Sequence, residues 1–309
     1  MGDVYFNNFW AMGTRCDVVL PGIKNSTADY LYSKIYDEIV RLENKLSHFM
    51  PVSDVSYINE NASDQEILID DELFDLIEKC LEFSEKTDGR FDISILPLLE
   101  LWQSDQQNEI RKNPEQREID YALEKSGYRH ILLNEHKSSI AFDHPGVKID
   151  LGGIGKGVAL EKVDELLSQY DVQNAFISFG ESSIMVKGNH PCGESWRVGI
   201  QHVYQPGVSI HTFELKDMSL STSGMRSLQG SNEIEQRFHI IDPCTGHMVR
   251  DQKTISVTSS SAVEAEALST ALMTSDIDNA RRILQQFPEC HAIEIRYGQD
   301  KKAGISIFQ

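Results

Sequence analysis

The chain has 309 residues, with 29 Lys plus Arg against 48 Asp plus Glu, a net charge of −19. Apolar residues make up 40% and charged residues 25%, which excludes a disordered, collagen-like or coiled-coil chain and leaves apolar surface for a sizeable core. The acidic balance argues against binding nucleic acid or anionic lipid, because both present phosphate to a surface that repels it.

Residues 5–20 read as a strand, a Met-Gly-Thr turn and a second strand. In residues 27–47 the apolar positions Tyr30, Leu31, Ile35, Ile39, Val40, Leu42 and Leu46 have a spacing that fits an amphipathic helix. Residues 53–59 read as a polar turn with a short helical start, and residues 71–87 as a strong helix closed by Thr87-Asp88-Gly89, with glycine in the left-handed position. The apolar run 91–102, with Pro97 inside it, predicts a strand leading to a short helix. Residues 103–119 are the most polar stretch and predict an exposed, mobile connection, followed by a helix over 122–130. A strand hairpin is expected up to Gly153, then a glycine-rich turn opening a helix. Hairpin and strand patterns follow at 174–188, 195–203 and 208–224, and a strand entering a turn at 237–250. Residues 254–273 read as strand, serine turn and helix, and two closing strands end the chain. Helices mixed with many adjacent strands predict an α+β fold with mixed, largely antiparallel sheets flanked by helices. The cysteines (Cys16, Cys80, Cys192, Cys244, Cys290) are scattered without a CxxC pair, so a disulfide framework or a zinc site is not expected. No apolar run of membrane-spanning length and no signal-peptide pattern occurs.

Four segments carry residues suited to chemistry. In Ile149-Asp150-Leu151-Gly152-Gly153-Ile154-Gly155-Lys156-Gly157 a strand ends, glycines crowd a turn and a lysine opens a helix. Glycines admit a close ligand, the helix N-terminus offers free N–H groups, and Lys156 adds a point charge. A phosphate cradle and a tight strand–helix turn explain this pattern equally well. In Glu264-Ala265-Glu266-Ala267-Leu268-Ser269-Thr270, Glu266 and Thr270 stand four apart on one helix face. They offer two hard oxygens to Mg²⁺, or they belong to an ordinary acidic helix start. His239 sits in an alternating strand pattern before Asp242-Pro243-Cys244-Thr245-Gly246, and Ser221-Thr222-Ser223-Gly224 places hydroxyls at a glycine turn. Structural roles explain both.

Taken in chain order, Ala11-Met12-Gly13-Thr14, residues 46–59, Phe91-Asp92 through Trp102, residues 149–157, the Phe179-Gly180 hairpin, residues 196–200, Thr222-Ser223-Gly224, residues 239–246 and residues 265–272 together resemble the ApbE family, the FAD:protein FMN transferases. The resemblance spans nearly the whole chain and implies one domain over residues 1–309. It implies transfer of FMN from FAD to a Thr or Ser hydroxyl of a target flavoprotein, with release of AMP and dependence on Mg²⁺. It implies a metal held by the Gly153 carbonyl, Glu266 and Thr270, with His239, Lys156 and Ser223 at the reacting end. Met12, Gly13, Thr14, Ser94, Gly152, Gly155, Gly180, Glu181, Thr222 and Asp242 are then the residues expected to bind FAD. The sequence departs from the family pattern at Glu266 and Glu161, where aspartate is usual, at Gly180-Glu181-Ser182 in place of Gly-Gly-Asn, at Ser94 for threonine, and at Met225 for tyrosine. These departures keep two alternatives open: an impaired flavin-binding protein, and an FAD pyrophosphatase releasing FMN and AMP. A cytoplasmic location is the literal reading, with an exported lipoprotein whose leader has been removed as the close alternative.

Overall fold

A computed structural model of the chain describes residues 4–102, 114–205, 207–224 and 240–308. Strands β1 (Val4–Ala11) and β2 (Thr14–Pro21) form a hairpin around Met12 and Gly13, whose φ angles are 51° and 70°. Two successive positive φ values suit a two-residue turn that follows the strand twist. Helix α1 (Asn25–Leu46) buries Ala28, Leu31, Ile35, Ile39, Leu42 and Leu46 on one stripe. Helix α2 (Asp54–Asn61) is capped by Ser53, strand β3 is Ile67–Leu68, and helix α3 (Asp71–Lys86) is capped by Asp70. Past α3 both Asp88 (φ 53°) and Gly89 (φ 75°) are left-handed, so the helix stop begins one residue before the expected glycine.

The strand expected after residue 91 does not form. Asp92 accepts a hydrogen bond from Ser94 N and starts a single 3-10 turn, Ile93–Ile95. Helix α4 (Leu96–Trp102) follows, with Pro97 in its first turn, where a missing N–H costs nothing. Of the polar stretch, residues 103–113 lie outside the described residues, and residues 116–119 begin helix α5 (Gln116–Leu123), which buries Ile119 and Ala122. The expected helix over 122–130 therefore starts earlier and ends at Leu123; only a 3-10 turn at Tyr128–His130 follows.

Strands β4 (Ile131–Asn134) and β5 (Ser139–Phe142) pair with β3 in a small sheet ordered β3-β5-β4. Residues 147–151 are not a strand. The Asn59 side chain instead pairs with both backbone groups of Ile149, at 2.7 and 2.9 Å. Helix α6 (Gly155–Gln169) leads to β6 (Ala175–Phe179), β7 (Ser183–Lys187), β8 (Trp196–Gln201), β9 (Ser209–Leu215) and β10 (Met218–Gly224). Of the strand expected at 237–250, the described residues 240–250 carry one isolated bridge, Ile241 to Met248. Strand β11 (Lys253–Ser259) enters helix α7 (Ala262–Met273), and β12 (His291–Tyr297) and β13 (Ala303–Phe308) close the chain. Helix α8 (Ile277–Leu284), which the sequence pattern did not signal, is capped by Asp276.

The main sheet is antiparallel throughout, in the order β1-β2-β6-β7-β10-β11-β12-β13. The larger core joins its inner face to α1, α3, α6 and α7. Each fully buried Leu or Ile there contributes about 1.5–3 kcal/mol relative to exposure. A second core joins the opposite face to the β8–β9 hairpin through Trp196, Ile200, Phe213 and Leu215. The α+β, largely antiparallel expectation thus holds, and helix α7 lies over the middle of the sheet against β10 and β11. No helix among the described residues is long and apolar enough to cross a membrane.

Candidate active site

The glycine run serves two purposes. Gly152 and Gly153 are exposed at the turn, whereas Gly155 and Gly157 are buried in the first turns of α6. A Cβ on Gly157 would stand 2.7 Å from Ala262 O and 2.9 Å from Val263 Cα. Glycine is therefore required there for α6 to touch the start of α7. The turn is partly self-satisfied: the Asp150 carboxylate accepts from Gly152 N at 3.0 Å and lies 2.9 Å from His48 Nδ1. The amide of Gly152, a residue expected to bind FAD, is thereby engaged within the chain.

Helix α7 brings Glu266 against this turn. Glu266 is 3% exposed. Its Oε2 accepts from Gly157 N at 2.6 Å, and its Oε1 accepts from Ser183 Oγ at 2.5 Å. Lys156 Nζ stands 2.9 Å from the same Oε1. An isolated buried carboxylate is costly, and here a backbone amide, a hydroxyl and an ammonium compensate it. The close approach that Gly157 allows is what places its own N–H on Glu266. Glu161 secures the same contact from α6, where its carboxylate accepts from Ser261 Oγ and Val263 N at the start of α7.

Strand β10 runs beneath α7 and sorts its hydroxyls by face. Ser221 and Ser223 point to the helix, 3.0 and 2.8 Å from Ser269 Oγ. Ser269 in turn donates to Glu266 O at 3.1 Å. Thr222 points the other way, to Ser256 at 3.0 Å on β11, as the strand's two-residue period demands. Thr222 and Ser223, both expected at the ligand, therefore stand on opposite faces of the sheet. Thr270, one turn beyond Glu266 on α7, is half-buried.

Two hairpin turns complete the neighbourhood. Met12 N donates to Glu43 Oε1 at 2.8 Å, fixing the β1–β2 turn to α1. Gly180 (φ 54°) packs so closely on Thr14 that a Cβ would stand 2.2 Å from Thr14 Oγ1. The β6–β7 turn that Gly180 opens delivers Ser183 to Glu266. Glu181 also has positive φ (63°), but its side chain is exposed and lies 4.0 Å from Arg15, so it does not fill the turn.

Other expected residues stand apart from this group. Ser94 is fully buried; its hydroxyl donates to Asp92 at 2.7 Å and accepts from Gly127 N at 2.6 Å. In this conformation it clamps two segments together and offers no surface to a ligand. Asp92 also accepts from Tyr128 N, and burial pushes its carboxyl above the usual aspartate range. Asp242 pairs with Arg90 at 3.2 Å and accepts from Cys244 N, while Arg90 donates to Thr274 O just past the end of α7. His239 and Met225 lie outside the described residues. A cavity of about 490 Å³ near Tyr204, Arg250, Tyr297 and Lys301 includes none of the expected site residues.

Among the described residues, no cluster of three or more His, Cys, Asp or Glu is arranged to hold a metal. The oxygens expected to hold a metal are of another kind: the Glu266 carboxylate, the Thr270 hydroxyl one turn along α7 and the Gly153 carbonyl of the exposed glycine turn. These hard oxygens suit a hard divalent cation, and the Glu266 carboxylate is paired with the Lys156 ammonium at 2.9 Å. The residues present fit such an ion. Sequence reasoning missed Ser183, Ser269 and His48 as members of the site. Ser183 and Ser269 lie within the matched motifs but carry no signal apart from their pairing across the fold.

A model of the ApbE family matches residues 12–294. The chain is 30% identical over 266 residues to the FAD:protein FMN transferase of Buchnera aphidicola subsp. Schizaphis graminum, covering 85% of this chain and 77% of that protein. It is 26% identical over 279 residues to the FAD:protein FMN transferase of Escherichia coli (strain K12), covering 89% of this chain and 79% of that protein. The ApbE protein of Thermotoga maritima has a similar crystal structure, with a TM-score of 0.85 at 26% identity, covering 99% of this chain and 97% of that one.

Proposed function

The chain belongs to the ApbE family, and on that premise we propose that it is an FAD:protein FMN transferase, a Mg²⁺-dependent enzyme that moves FMN from FAD to a Thr or Ser hydroxyl of a target flavoprotein. The observation that carries this reading is the junction at Glu266. A buried acid, a lysine, a helix N-terminus and a row of serines from four separate segments meet there. Phosphoryl-group transfer depends on positioning and charge neutralisation, and this junction supplies both.

In this reading the acceptor hydroxyl attacks the FMN-side phosphorus of FAD. The bond from that phosphorus to the bridging oxygen breaks, and AMP leaves with the electron pair. His239 takes the proton of the hydroxyl. Lys156 holds the pyrophosphate beside the positive end of α6, and Ser223 orients the reacting end. The β1–β2 turn at Met12, Gly13 and Thr14 and the Gly180 turn form the wall along FAD, with Gly155 leaving room for close approach. Glu266, Thr270 and the Gly153 carbonyl would hold Mg²⁺, which supplies positive charge to the pyrophosphate when bound.

The test is incubation with FAD, Mg²⁺ and a flavoprotein domain carrying an acceptor Thr or Ser. Covalently bound fluorescent flavin and AMP in equal amounts are expected. AMP and FMN without labelled protein would establish the pyrophosphatase instead. Neither product, under conditions where the Escherichia coli relative works, would leave a flavin-binding protein without catalysis.

A further inference from the structure

Glu266 and Lys156 differ in their freedom to move. The carboxylate is 3% exposed and fixed by two other donors, Gly157 N and Ser183 Oγ, both of which belong to packed elements. The Lys156 side chain is 24% exposed and reaches the site on a flexible four-carbon stem. Its ammonium lies on Oε1, the oxygen that Ser183 also occupies, so the acceptor sites of Oε1 are filled. A carboxylate in this state is neutralised, yet only one of its partners can leave without disturbing the fold.

We infer that Lys156 is a removable counter-ion of Glu266: its ammonium and a divalent cation compete for this carboxylate, and arrival of the cation releases Lys156 toward the pyrophosphate of the substrate. This inference rests on the reading above that Glu266 helps to hold Mg²⁺. Two positive charges on one buried carboxylate repel each other strongly in a partly desolvated site. The exchange conserves compensation: Glu266 trades one cation for another, and the freed ammonium finds a new anion in the pyrophosphate. Cation and FAD then bind cooperatively, each strengthening the other by the same factor. Without the cation, Lys156 is occupied and the pyrophosphate loses both of its positive partners.

The experiment measures binding of Mn²⁺ alone, without FAD, by electron paramagnetic resonance. Lys156→Gln removes the competitor and is expected to bind Mn²⁺ roughly tenfold to a hundredfold more tightly than wild type, the worth of a hydrogen bond to a charged group. Lys156→Arg keeps the charge and is expected to bind no more tightly than wild type. In the unaltered protein, acylation of the Lys156 amine followed by mass spectrometry is expected to rise when Mn²⁺ is added. That arm stays decisive if Lys156→Gln fails to fold. Equal or weaker Mn²⁺ binding by Lys156→Gln, or acylation that Mn²⁺ leaves unchanged, overturns the inference. Glu266→Gln separates the two ideas. Undiminished Mn²⁺ binding by that variant overturns the metal reading and this inference with it. Lost Mn²⁺ binding there, with unchanged affinity in Lys156→Gln, overturns this inference alone.

Discussion

Asp92 and Glu266 are both buried carboxylates, 8% and 3% exposed, and they are compensated in opposite ways. Asp92 is held by neutral donors: Ser94 N and Oγ at 2.8 and 2.7 Å and Tyr128 N at 2.7 Å. None of these can leave without unfolding a turn, and burial still raises its carboxyl pKa. Glu266 has two comparable donors, but its third partner is a lysine whose side chain is 24% exposed. The contrast teaches that burial of an acid alone does not mark a functional site. An acid enclosed by the backbone is a clamp. An acid whose charge is balanced by a movable cation is exchangeable.

The largest effect that would break or sustain this contrast is in activity. Glu266→Gln should lower FMN transfer at least about a hundredfold, because the charge a metal supplies is worth several kcal/mol, while the protein stays folded by circular dichroism. Gly157→Ala comes next. Its Cβ must push α6 from α7 at a 2.7 Å contact, costing about 1–3 kcal/mol of stability in denaturant titration, and it should lower transfer as well by moving Gly157 N off Glu266.

Asp92→Asn should cost about 1–3 kcal/mol with little effect on transfer measured below the melting range. Asparagine turns an N–H toward Tyr128 N, a donor facing a donor. The pH dependence has a definite sign. A carboxyl whose folded pKa lies above its unfolded value contributes stability that is fully present below the unfolded pKa and is lost as pH rises through the folded pKa. The advantage of wild type over Asp92→Asn in thermal melts should therefore shrink as pH rises from the ordinary aspartate range; an advantage that grows with pH would contradict the assignment. The smallest effect tests the two faces of β10. Ser223→Ala should lower kcat/KM about tenfold, the worth of one hydrogen bond. Thr222→Val should cost only about 1 kcal/mol of stability and leave kcat/KM near wild type.

Much of this fold is legible in local pattern. The helical stripe of Leu31, Ile35, Ile39, Leu42 and Leu46 and the hairpin pattern in residues 174–188 identify elements that the structure contains. The failures have local causes. Asp92 turns an apolar strand pattern into a 3-10 start by capping Ser94 N, and Asn59, distant in sequence, takes the hydrogen bonds that a strand at Ile149 would have made. In the site, Glu266 and Lys156 stand out as charge types in motifs. Ser183 and Ser269 do not, because a serine gains its role only from what the fold places opposite it. Thr222 and Ser223 are adjacent in sequence and equal in chemistry, and only the strand's alternation separates them.

The most direct measurement is anomalous diffraction from a crystal soaked with Mn²⁺ and FAD. The account predicts a single strong peak in bonding contact with the Glu266 carboxylate and the Thr270 hydroxyl, with Lys156 Nζ moved from Glu266 to the pyrophosphate. A peak elsewhere, or FAD bound while Lys156 still sits on Glu266, would contradict it.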